Sequence, residues 1–93
     1  MEWKDIKGYE GMYQISKDGN LRKWINDSWI IKELKPHPVR KLQVYLSKNG
    51  KSRKEYRHLL VARHFLDNPS DSNRCGFKDG DINNCKSDNL YWL

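Results

Sequence analysis

The dipeptide Asn49-Gly50 constrains this chain more than any other two residues. It is the strongest short hairpin signal a sequence offers, because both residues tolerate the left-handed backbone of a two-residue type I′ turn. Before it, Leu42-Gln43-Val44-Tyr45-Leu46 alternates apolar and polar like a half-buried strand, and the basic stretch Lys51 to Arg57 returns from it. The period then changes. In His58–Leu66, the sets Leu59/Ala62/Leu66 and Val61/Phe65 fall at helical spacing. Asp67-Asn68-Pro69 is predicted to end that helix, since proline cannot occupy a helix interior. A hairpin feeding a helix implies an α+β fold.

The remaining segments are short. Tyr13-Gln14-Ile15-Ser16 alternates as a strand, Lys17-Asp18-Gly19-Asn20 is a tight turn, and Leu21–Ile25 is the return strand. An Asn26-Asp27 turn leads to a strand at Trp29-Ile30-Ile31. Lys35-Pro36-His37-Pro38 is a connector, because two prolines remove two ladder donors. Asp79-Gly80-Asp81 reads as a turn whose aspartates bond backbone amides, and Ser87–Trp92 is one short terminal element. Trp24, Trp29 and Tyr45 are expected inside, because a chain with few aliphatic residues needs its aromatics for a core. At 93 residues the chain is expected to form one unit, 1–93. No apolar run approaches the roughly 20 residues of a membrane span. Met1 to Asp5 resembles no signal peptide, so a soluble chain in the cytoplasm is expected. Cys75 and Cys85 are too few for a disulfide framework or a four-ligand zinc and read as reduced thiols.

The net charge of +6 is unevenly placed. Three lysines against four acids give Met1–Asn20 a balance of −1, and three cations against four aspartates give Asn68–Leu93 the same. Between them, Leu21–Asp67 holds twelve cations against four acids, a balance of +8. Such a concentration attracts polyanions through counterion release, although charge alone also suits a solvated surface.

The motifs resemble a known family. The ordered set Glu2, Asp5-Ile6, Gly8-Tyr9-Glu10-Gly11, Tyr13, Ile15-Ser16, Gly19 and Leu21-Arg22 resembles the nuclease-associated modular domain that precedes phage HNH homing endonucleases. Tyr56 to Phe65, Asn68-Pro69, Lys78-Asp79-Gly80-Asp81-x-Asn83-Asn84 and Asn89-Leu90-x-Trp92 look like the HNH domain of the same enzymes. The resemblance implies a modular motif at 1–34 and a degenerate HNH-like region at 41–93. The fold it implies is small β-hairpins packed on a central helix, with a truncated ββα remnant at the C-terminus. The family's chemistry is metal-assisted phosphodiester hydrolysis. One histidine acts as general base, a neighbouring acid and a later residue hold a divalent ion, and a middle Asn organises the turn.

On that alignment the metal-binding position is Gly76, the general-base position Phe77 and the middle position Asn89, while the third motif residue would lie beyond Leu93. Glycine offers no ligand and phenylalanine accepts no proton. His58, where family members also carry a histidine, is expected to be structural, and neither His37 nor His64 has a paired acid. The expectation is therefore no enzyme, no catalytic residue, no metal and no cofactor. The expected function is a catalytically inactive, HNH-endonuclease-like phage protein that binds DNA or RNA through its basic hairpin, in the cytoplasm of a bacterial host. Its contacts are expected from Arg40, Lys41, Lys48, Lys51, Arg53, Lys54, Arg57 and Arg63. Two alternatives stand beside it: an inhibitor of a host nucleic-acid enzyme or defence system acting by protein binding, and a residual nickase.

Overall fold

In the computed structural model, residues 2–32, 35–68 and 70–93 are described. Met1, Glu33, Leu34 and Pro69 lie outside them, and with them the expected proline stop and the end of the 1–34 segment. Four strands, β1 (Trp3–Asp5), β2 (Tyr13–Ser16), β3 (Leu21–Ile25) and β4 (Ser28–Lys32), form one antiparallel sheet in that order. A basic hairpin follows, β5 (Gln43–Lys48) with β6 (Lys51–Tyr56), and runs directly into the helix α1 (Arg57–Phe65). A last pair, β7 (Cys75–Phe77) and β8 (Leu90–Trp92), closes the chain, with one 3-10 turn at Ser87–Asn89 between them. The α+β class read from the sequence is the class observed.

Turn chemistry explains the reversals. Asn26 and Asp27 both take positive φ, 51° and 64°, as do Asn49 and Gly50 at 53° and 76°. Paired positive values are what a two-residue turn needs to match strand twist. Gly19 has a second reason to be glycine. Its φ is 86°, and a Cβ there would stand 2.9 Å from Cys85 Cβ. That close approach lets Ser87 N–H donate to the Lys17 carbonyl at 2.8 Å, docking the first turn onto the C-terminal segment.

A single buried cluster draws on every part of the chain. Ile6, Tyr13, Ile15 and Leu21 meet Val44 and Leu46 of the hairpin, Leu60, Val61 and Ala62 of α1, and Cys75 and Leu90 of the last pair. Ile15, Val61 and Ala62 are fully buried. Burying each of the two larger side chains contributes roughly 1.5–3 kcal/mol. The helix starts one residue earlier than its pattern implies and ends at Phe65, where Leu66 turns extended and its N–H still donates to the Ala62 carbonyl at 3.0 Å. His64 anchors this end. Its ring accepts from Lys7 N–H at 3.1 Å and donates to the Leu60 carbonyl at 2.7 Å, a tautomer that this network assigns.

Candidate nucleic-acid interface

The hairpin's cations do not share one surface, because strand side chains alternate. Register pairs Val44 with Glu55, Leu46 with Arg53 and Lys48 with Lys51 on the side that meets the core. It pairs Gln43 with Tyr56, Tyr45 with Lys54 and Ser47 with Ser52 on the outer side. On the inner side the charge is largely engaged. Glu55 carries Arg53 at 2.9 Å and Arg63 at 3.4 Å, and Lys48 Nζ donates to the Gly8 carbonyl at 2.9 Å. Lys51 is exposed at the hairpin tip.

The outer side is different. Arg40, Lys41 and Lys54 line a groove of about 440 Å³ together with Val39, Gln43 and Tyr56. The connector is set by His37, whose Nδ1 accepts from the N–H groups of Val39 and Arg40 at 3.2 and 2.9 Å. Asn83 brackets the His37 backbone, accepting from its N–H and donating to its carbonyl, both at 3.0 Å. Lys41 and Tyr56 also border a second depression of about 440 Å³, which continues past His58 and Leu59 to Asn73, Arg74 and Cys75. The two form one trough from the outer hairpin to the first turn of α1 and β7. Among the described residues, no acidic side chain lines either part. The sequence pattern does not reveal Asn73, Arg74 and Tyr56 here, since only the tertiary fold brings them to Lys41.

Several expected residues sit elsewhere. Arg57 is not at the surface: it is 3% exposed, and its Nη1 donates to the Gly19 carbonyl at 2.7 Å. Burial pulls its pKa down to about 10. Its role is to tie the helix to the first turn, and it lies outside the trough. Tyr45 and Trp24 are on the surface, at 66% and 43% exposed. Trp24 and Trp29 pair across the outer sheet face with rings 5.2 Å apart, and the Arg22 guanidinium lies 4.3 Å from Trp3 and 4.6 Å from Trp29. The core is closed by aliphatics and Tyr13 instead, so these aromatics are not needed inside.

The HNH positions fall in the β7–β8 pair. Asn89 is buried, and its amide donates to Asp79 Oδ1 at 3.0 Å and the Asn84 carbonyl at 2.9 Å while accepting from Asp79 N–H at 3.1 Å. Asp79 and Asp81 accept backbone N–H groups from Asp81 and Asn83, at 2.8 and 2.9 Å, as Asx turns do. These bonds hold the Asp79 carboxyl below its ordinary pKa, with the Asn84 amide the largest cause. Phe77 packs its ring 5.0 Å from that of His58, and a Cβ on Gly76 would stand 2.5 Å from Tyr91 Cζ. Among the described residues, no three His, Cys, Asp or Glu side chains gather to hold a metal ion. Positions 76 and 77 offer no ligand and the Asn89 amide is already engaged, so these residues do not fit the divalent ion that the resemblance implies. Both thiols are held protonated by burial, Cys75 upward and Cys85 to about 11. No helix among the described residues is long and apolar enough to cross a membrane.

Comparison with known proteins places these features. The NUMOD4 motif matches residues 1–55. Along all 93 residues the chain is 34% identical to the DNA endonuclease I-HmuI of Bacillus phage SP01, of which it covers 52%. A solved structure of DNA binding and cleavage by the HNH homing endonuclease I-HmuI aligns with a TM-score of 0.86 and 36% identity, covering 100% of this chain and 52% of that one. This chain thus spans about half the length of the relative it matches. The expectation of a non-enzyme is overturned here, because the relative matched along the whole chain is a DNA endonuclease. The third motif position likewise cannot be judged missing at Leu93, since the relative continues well past the matched region.

Proposed function

This chain belongs to the NUMOD4 motif family and is related to the phage HNH homing endonucleases, and from that premise we propose that it grips double-stranded DNA along the trough that joins its outer hairpin face to its HNH-related β7–β8 pair. The observation that carries this reading is the trough itself. Arg40, Lys41, Lys54 and Arg74 border it, and no acidic side chain among the described residues does. A two-stranded β-ribbon fits the major groove or follows its phosphates, and cations spaced along it supply sequence-independent affinity. Residues 1–34 serve as the modular portion and 41–93 as the HNH-related portion of that grip. Lys51 extends the contact at the hairpin tip, whereas Lys48, Arg53 and Arg63 are shared with protein acceptors. Any hydrolysis by this family member draws its proton acceptor and cation ligands from groups other than Gly76 and Phe77.

The test is fluorescence anisotropy on a short labelled duplex, comparing the wild type with Arg40→Gln/Lys54→Gln. The expected result is binding that weakens about tenfold or more in the double variant, at roughly 1 kcal/mol per lost phosphate contact. Unchanged affinity would remove the trough from the interface.

A further inference from the structure

The inner end of the trough has features that a general basic surface does not need. There α1 begins at Arg57 with no side-chain cap from Tyr56 and no acidic residue in its first turn. The Arg57 N–H is taken by the Leu42 carbonyl at 2.9 Å, which leaves the next amides of the turn without an intrahelical acceptor. Lys41 stands on one side of this turn and Arg74 on the other, with Asn73 beside Arg74. His58 lines the same depression, is 4% exposed, and its Nδ1 is buried with no hydrogen-bond partner among the described residues. An uncapped helix start between two cations is an environment suited to an oxyanion. An unpaired buried ring nitrogen in its wall is a group that lacks a partner.

We propose that this depression is a subsite for one phosphate group, held by Lys41 and Arg74 over the first turn of α1 and sensed by His58. The proposal rests on the DNA-binding reading for the source of that phosphate, a backbone phosphodiester, and it gives that reading an inner anchor beside β7. It also separates two kinds of cation in the trough. Arg40 and Lys54 contribute charge along an open wall, whereas Lys41 and Arg74 flank a defined site.

The experiment follows backbone amides and the His58 ring by NMR while inorganic phosphate, and separately dimethyl phosphate, is titrated into the full chain. Duplex affinity is then measured on the same samples across a salt series. The expected result is saturable shifts at the His58 and Leu59 amides and the His58 ring, absent in Lys41→Gln/Arg74→Gln. That variant should also bind duplex at least tenfold more weakly, with a salt slope smaller by about two contacts' worth, near 0.9 each. Lys41→Arg/Arg74→Lys, which keeps both charges, should retain the phosphate shifts and guards against simple misfolding. Non-saturating or scattered shifts would overturn the subsite even if the wild type binds duplex. Saturable shifts at His58 and Leu59 in a protein that ignores duplex would support the subsite and refute the DNA reading.

Discussion

At His58 the ring sits between Tyr56, 5.7 Å away, and Phe77, 5.0 Å away, and burial drags its pKa from the ordinary 6.5 to about 4. Lys41 and Arg63 push it the same way. The sign of the consequence follows from proton counting. Above the unfolded value the ring is neutral in both states and adds no pH dependence. As pH falls through about 6.5 the unfolded chain takes up a proton that the folded chain refuses, so stability drops, and the loss is complete below about 4. Urea unfolding at pH 7 and pH 5 should differ by about 2 kcal/mol from this residue, and the difference should shrink by that amount in His58→Gln. An equal pH dependence in the variant would mean that the ring titrates normally. Arg57 teaches a related point. Its charge counts toward the basic middle segment, yet its guanidinium bonds the Gly19 carbonyl in the interior, and no residue-type pattern distinguishes an arginine facing out from one facing in.

Among the elements, turns were the most legible, because Asn26-Asp27 and Asn49-Gly50 encode their backbone locally and both take the positive φ they imply. The helix was legible within one residue at each end, since Leu60, Val61 and Ala62 present one apolar face. The three-residue strands β1 and β7 were not, because pairing with β2 and β8 creates them and they are too short to show a period. The faces of the hairpin were hidden too. Alternation divides its cations, but which half meets the core depends on how Val44 and Leu46 dock against α1. That division makes an element-scale prediction. Lys54→Gln, on the outer face, should weaken duplex binding several-fold, while Arg53→Gln, already paired with Glu55 at 2.9 Å, should change it less than twofold. Anisotropy titrations of the two variants side by side decide it, and equal losses would show that both faces touch DNA.

For the molecule as a whole, the sequence located the excess charge but not the trough, because the connector, hairpin, helix start and β7 meet only after folding. The first turn docks on the Cys85 segment through Gly19, and His37 and Asn83 fix the connector that carries Arg40 and Lys41. The modular and HNH-related portions therefore share one core and one basic surface. The most direct measurement is the affinity for a labelled duplex as a function of salt concentration. With Arg40, Lys41, Lys54 and Arg74 each neutralising one phosphate, log affinity should fall against log salt with a slope of about −3 to −4. A slope near zero, or no binding at low salt, would contradict a DNA grip along this trough.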